Sequence, residues 1–277
     1  MAMRTDLIVT TSHKPDAALT ARAVGFAQEL GCALAGRHAE GMPVVFARYP
    51  EAQKALIVQS ARLLLVDRAG HEVFFHPNLG ALRLRNLLRG HPDYLQLAMQ
   101  LVPGESVLDC TLGHAGEATL CAFLVGETGE VHGIEGNHEL GIVTREGLGV
   151  FETENRIINA AMRQIKVVHL GHHLEFLKTC PDKRYDVVYF DPFFDVAVDI
   201  TEETMGALKA FGDHSVLTLE AITQAKRIAR RLVVVKTARW SEQLAELGIT
   251  EFVGAKNGRV VYGTLSVSDS EKSATEG

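Results

Sequence analysis

Between Ser106 and Lys236 the chain repeats one rhythm: a short apolar run, then a longer amphipathic stretch. The runs are SVLDC, EVHGIE, IKVVHL, YDVVYF and RLVVVK. Only a strand covered on both faces tolerates nearly continuous apolar sequence, so this alternation predicts parallel strands joined by crossover helices. The end of the chain breaks the rhythm. There ITEFVGA and GRVVYGTLSV are separated only by Lys256-Asn257-Gly258, which predicts a β-hairpin with Asn-Gly in its turn. The expected fold is therefore α/β, a doubly wound, mostly parallel seven-stranded sheet closed by a C-terminal β-hairpin.

The residues ahead of Pro103 read differently. Leu7 to Thr10 is strand-prone, Pro15 is placed in the first turn of an alanine-rich helix that stops at Gly31, and ALIVQ, RLLLVD and HEVFF follow as strand-like runs. His76-Pro77-Asn78 breaks this pattern. From Leu79 to Met99 helix-prone residues are interrupted at Gly90 to Pro92, as in a connecting pair of helices. A length of 277 residues accommodates such a division. The expected organisation is a small α/β unit with a connecting helix over 1–90, a main domain over 91–267, and a loose polar tail over 268–277.

Composition serves mainly to exclude. A hydrophobic share of 47% with 22% charged residues is that of a globular chain, not a disordered or collagenous one. Nowhere does an apolar stretch reach membrane-spanning length, and MAMRTDLIVTTSHKP lacks the features of a signal peptide, so a cytoplasmic protein with no membrane association is expected. Cys32, Cys110, Cys121 and Cys180 have neither disulfide-scaffold nor metal-ligand spacing and read as reduced core thiols. Charge is unevenly spread: residues 1–90 carry 11 Lys plus Arg against 7 Asp plus Glu, while residues 91–277 carry 17 against 27. A basic front thus precedes an acidic body, although ordinary solvated surface accounts for such an asymmetry equally well.

In an open parallel sheet, ligands lie beyond the carboxyl ends of the strands. The first strand ends in Asp109-Cys110-Thr111-Leu112-Gly113-His114-Ala115-Gly116-Glu117, a glycine-containing turn into a helix that allows close backbone approach. It is not the dinucleotide fingerprint, because Thr111 stands where the first glycine belongs. The second strand ends at Glu135, which either accepts hydrogen bonds from a ribose diol or serves as an acid at the next helix N-terminus. The third ends in Gly171-His172, where His172 is either an adenine neighbour or a solvated loop histidine. The fourth runs into Asp191-Pro192-Phe193-Phe194. Asp191 and the Pro192 carbonyl can accept hydrogen bonds from an exocyclic amino group; an aromatic face can stack on a base, with core packing the alternative for one phenylalanine.

Asp109-Cys-Thr-Leu-Gly113 with Gly116-Glu117, then Glu135, Gly171-His172 and Asp191-Pro-Phe-Phe194, follow the motif order of class I S-adenosylmethionine-dependent methyltransferases. Within that superfamily the chain resembles the small-subunit ribosomal RNA guanine-N2 methyltransferase J family and its relatives in Gram-positive bacteria. The opening V-T-T-S, the His-Pro-Asn segment, V-L-D-C-T-L-G and the tyrosine-rich D-P-x-F strand end carry the resemblance over nearly the whole chain. Ala115 replaces a glycine often present in the turn, and His172 stands where Asp or Ser is more usual.

The resemblance implies a Rossmann-like methyltransferase fold with S-adenosyl-L-methionine at the first three strand ends. Asp109, Thr111 and Gly113 would lie about its methionine part, Glu135 at the ribose, and Gly171 and His172 at the adenine, with Gly116, Glu117 and Gly136 also among the cofactor-binding residues and Asp191 between cofactor and acceptor. Asp191, Pro192, Phe193 and Phe194 would form the catalytic tip, methylating guanine N2 in ribosomal RNA or the small ribosomal subunit without a metal. Arg83, Arg85 and Arg89 recur on one helical segment and could form an exposed strip for RNA phosphates, or simply a solvated face. Two other functions compete: a cofactor-binding RNA-interaction or assembly protein without transfer activity, and, on sheet type and Glu135 alone, an NAD-dependent dehydrogenase. A homodimer stays open, as do the roles of His13, Lys14 and His76.

Overall fold

The computed structural model describes residues 3–192, 210–239, 241 and 243–267. Phe193 and Phe194, and the expected tail over 268–277, lie outside the described residues. Two compact units are formed, each from discontinuous sequence. The first comprises Met1–His76, Asn137–Glu152 and Ala197–Gly212; the second comprises Pro77–Gly136, Thr153–Val196 and Asp213–Gly277.

The first unit is built on β1 (Arg4–Thr11), β2 (Cys32–Leu34), β3 (Lys54–Val58), β4 (Leu63–Asp67) and β5 (Glu72–Phe74), ordered β2-β1-β3-β4-β5. β1 is parallel to both neighbours, and β3, β4 and β5 form an antiparallel meander. Helix α1 (Ala17–Leu30) buries Leu19, Ala23, Phe26, Ala27 and Leu30, one face at helical period. It begins two residues later than Pro15 suggested. Asp16 is the N-cap, its side chain accepting from the Leu19 amide, so Pro15 lies ahead of the helix. Gly31, at φ +62°, ends it. The short β2 and α2 (Met42–Arg48) were not expected from the sequence.

The second unit opens with α3 (Asn78–Leu88) and α4 (Tyr94–Met99), the expected pair. Then come β6 (Ser106–Asp109), α5 (Gly116–Val125), β7 (Glu130–Glu135), α6 (His138–Val150), α7 (Arg156–Gln164), β8 (Ile165–Leu170), α8 (His173–Thr179) and β9 (Tyr185–Phe190). The described chain finishes with α9 (Leu219–Ile228), β10 (Ala229–Ala238), α10 (Gln243–Glu246), β11 (Glu251–Val253) and β12 (Val260–Ser266). Of these, α6 belongs to the first unit, where it packs against β4 and β5. Its buried Glu139 pairs there with Arg4 at 2.6 Å.

The seven-stranded sheet has the order β11-β12-β10-β9-β6-β7-β8. β6 to β10 are mutually parallel where they pair, while β12 runs antiparallel to β10 and to β11. The expected doubly wound sheet with its reversed C-terminal hairpin is thus present. Its core gathers Leu108, Ile134, Val188, Phe190, Val233 and Val235 under Ile222 and Ile228. Cys32, Cys110, Cys121 and Cys180 are buried free thiols. Among the described residues no helix is long and apolar enough to cross a membrane. From β6 the chain winds outward through β7 and β8, then returns to place β9 on the other side of β6. In open α/β sheets the ligand crevice lies at such a reversal, which here falls at the carboxyl ends of β6 and β9.

Candidate functional site

Three strand tips and the turns that follow them converge at this reversal. Asp109, the last residue of β6, is 2% exposed. Its Oδ1 accepts the Thr111 amide at 3.0 Å, which holds the turn closed. Burial pushes its carboxyl up to about 8, against the opposing Thr111 hydrogen bond and with added repulsion from Glu117, Asp191 and Glu135. The Thr111 hydroxyl accepts in turn from the Asp191 amide at 2.6 Å, so the tips of β6 and β9 are stitched across the crevice.

Glu135 is neither the cap nor a first-turn acid of α6. It is buried at the tip of β7, and its Oε2 accepts the Gly113 amide at 2.8 Å. The cap of α6 is Asn137, whose side chain accepts from the Leu140 amide, with Glu139 as the first-turn acid. Gly113 has φ +50°, a left-handed conformation that suits glycine. Ala115 adopts φ +57°, so the residue that replaces a common glycine here keeps a glycine-like backbone. At Gly136 an added Cβ would lie 2.0 Å from Asp213 Oδ2, leaving no room for any side chain.

At the end of β8 the Gly171 amide donates to the Glu135 carbonyl at 2.8 Å. His172 is neither loose nor fully solvated: half-buried, it caps α8, its Nδ1 accepting from the Leu174 amide at 3.2 Å. Its ring stacks on His173 at 4.3 Å. His173 is buried, and burial, with the neighbouring His172, lowers it to about 4 despite the attraction of Asp213. It is neutral near pH 7, and its Nε2 has no hydrogen-bond partner among the described residues.

The tip of β9 carries the densest charge. Asp191 Oδ2 lies 2.6 Å from Lys236 Nζ on β10, and the same ammonium is 3.1 Å from Glu117 Oε1 on α5. Burial raises Asp191 to about 6; Lys236 opposes the rise and Glu117 adds to it. Glu117 is partly buried, but Lys236 and Arg83 outweigh the loss of solvation and pull it down to about 2. Against its own burial, the two carboxylates hold Lys236 above the ordinary ammonium range. Two residues before Asp191, the buried Tyr189 hydroxyl has no hydrogen-bond partner among the described residues.

Arg83 departs from its expected place. Its Nε and Nη2 donate to the two Asp93 oxygens at 2.8 and 2.7 Å, its Nη1 to Glu117 at 2.8 Å, and its Nη2 also to the Tyr262 hydroxyl at 3.1 Å. Residues two apart on a helix point in nearly opposite directions, because each residue turns the helix by about 100°. Arg85 is accordingly exposed, with its Nε on the Ala81 carbonyl, and Arg89 is exposed just beyond the helix. A single strip of three arginines is not formed. Asp109, Thr111, Gly113, Glu135 and Asp191 do come together, while Glu117 faces Lys236 and Arg83. Lys236, Tyr189, Tyr262, Asp93, His173 and Asp213 join the site without having been singled out in the sequence.

A family model described as "Putative SAM-dependent methyltransferase" matches residues 44–262. Protein YpiP of Bacillus subtilis (strain 168) is 33% identical over 261 residues, covering 94% of this chain and 100% of YpiP. The crystal structure of the SAM-dependent methyltransferase NGO1261 from Neisseria gonorrhoeae superposes with a TM-score of 0.63. It has 16% identity over 95% of this chain and 97% of that one, a likeness of fold.

Proposed function

The chain belongs to the SAM-dependent methyltransferase family, and from that premise we propose that it methylates an exocyclic amino group of a base, guanine N2, in ribosomal RNA. The observation that carries the amino-group reading is Asp191-Pro192 at the tip of β9, beside the tip of β6, where the strand order reverses. The choice of guanine N2 and of ribosomal RNA is supported by the resemblance of the strand-end motifs to the J family.

The residues at the crevice fit S-adenosylmethionine. Gly113 has open space where a Cβ would stand, and the buried hydroxyl of Tyr189 and the Nε2 of His173 lack protein partners among the described residues. Asp109, Thr111 and Gly113 would hold the methionine part, Glu135 with Gly136 the ribose, and Gly171 with His172 the adenine. When bound, the cofactor supplies a methyl group on a positively charged sulfur.

What remains is alignment. A guanine amino group is a weak nucleophile because its lone pair is delocalised into the ring. Asp191 would accept one of its hydrogens and the Pro192 carbonyl the other, turning the lone pair toward the methyl and favouring the positive charge that develops on nitrogen. The Thr111 hydroxyl, by binding the Asp191 amide, fixes the carboxylate relative to the cofactor turn. Phe193 or Phe194 would stack on a base splayed out of its helix.

Incubation with tritiated S-adenosylmethionine and undermodified small-subunit RNA, followed by nucleoside analysis, tests the proposal. Label in N2-methylguanosine is expected. Label in another nucleoside overturns the base, and no label in any RNA overturns the acceptor. Asp191→Asn should abolish transfer while leaving cofactor affinity within about tenfold, as for a group acting in the transition state. Equal loss of both would remove Asp191 from that role.

A further inference from the structure

Parallel pairing of β9 and β10 sets Val235 level with Phe190, so Asp191, just past the end of β9, comes beside Lys236, which is still within β10. Lys236 Nζ is 2.6 Å from Asp191 Oδ2 and 3.1 Å from Glu117 Oε1. Behind it the geometry is braced. Glu117 is tied to Arg83, and Arg83 is itself committed to both Asp93 oxygens and to Tyr262. Asp93 is anchored by accepting the Leu95 amide at the start of α4. Among the described residues no Arg83 donor reaches Asp191, and the cation in direct contact with its carboxylate is Lys236.

The surroundings make that contact consequential. Asp191 is faced by Lys236 from β10, Glu117 from α5, Arg83 from α3, and Asp109 from β6. A carboxylate so placed, without an ammonium against it, would keep its proton and lose its acceptor capacity on the protonated oxygen.

We propose that Lys236, braced by Glu117 and Arg83, is a positioning residue for methyl transfer: it pins one oxygen of Asp191 and keeps the carboxylate ionised, leaving the other oxygen to accept from the acceptor's amino group. This rests on the reading of Asp191 as the group that holds the acceptor. It assigns Lys236 no contact with the reacting atoms.

The test begins without any acceptor. Protein labelled with 13C at the aspartate carboxyl carbons is titrated by NMR, and the Asp191 signal is identified by its loss in Asp191→Asn. In Lys236→Met the Asp191 titration should move up by at least about one pH unit, and Lys236→Arg should restore it to within about half a unit. Should Lys236→Met fail to fold, Lys236→Gln carries the same expectation. With RNA as acceptor, the rising limb of kcat against pH should move by the same amount, with KM for S-adenosylmethionine changed less than about threefold.

An unmoved titration overturns the proposal, as does a rate lost equally at every pH, which is the mark of a merely structural lysine. If the wild type labels no base while Lys236→Met still shifts the Asp191 titration, the acceptor reading fails and the control of Asp191 by Lys236 stands.

Discussion

Asp109 is a carboxylate turned by burial into an acid that keeps its proton at neutral pH. An unfolded aspartate loses its proton near pH 4, whereas folded Asp109 holds it to about 8, so its stabilising contribution is full below about pH 4 and is lost as pH rises toward 8. A cationic amino group placed on Asp109 needs the ionised form, so S-adenosylmethionine binding should release a proton. Affinity should rise roughly tenfold between pH 6 and 7.5, and calorimetry in buffers of different ionisation enthalpy should register the release. Asp109→Asn should abolish the dependence; proton uptake by the wild type would refute the pairing. Asp109, Glu135 and Asp191 were legible because an acid that ends an apolar strand lacks an evident packing role. Lys236 ends RLVVVK in the same way, yet a lysine there resembles any solvated strand end. Arg83 was misplaced because its partners Asp93 and Glu117 stand 10 and 34 residues away, beyond the reach of local spacing.

At the scale of elements, α3 meets α5 through two glycines. A Cβ on Gly80 would lie 2.5 Å from the Gly116 Cα, so the contact is backbone to backbone. Gly80→Ala should force the helices apart at a cost of roughly 1–3 kcal/mol, read as a lower denaturant midpoint with unchanged m-value. Because α3 carries Arg83 and α5 carries Glu117, transfer activity should fall with it; an unchanged midpoint would mean that the crossing relaxes freely. The strands of the large sheet could be read from sequence because short, mainly apolar runs recur between longer amphipathic stretches. β2 and α2 escaped because three and seven residues are too few to display a period. The start of α1 was misjudged because Asp16, not Pro15, supplies the decisive local bond.

At the scale of the molecule, the first unit borrows α6 from between strands of the second sheet's sequence. Val143, Gly147 and Val150 of α6 line a small apolar recess with Leu63 and Phe75, and only glycine fits at position 147, because the Phe75 side chain occupies the space a Cβ would take. A fragment of residues 77–277 would keep α6 and lose these partners. It should melt lower than the whole chain and self-associate on size-exclusion chromatography. A monomeric fragment with undiminished S-adenosylmethionine affinity would show the first unit to be dispensable. The rhythm of runs made the two sheets legible but not this exchange, since α6 has the amphipathic pattern of any crossover helix.

The borrowed helix also bears on synthesis. Strands β1 to β5 leave the ribosome together, but Glu139, the partner of Arg4, follows far behind. At about 5–20 residues per second, the nascent first sheet waits on the order of ten seconds for α6. During that interval the apolar side chains of Leu63 and Phe75 are uncovered on the α6 side, and this is the stage at which a chaperone holding the nascent chain would matter most.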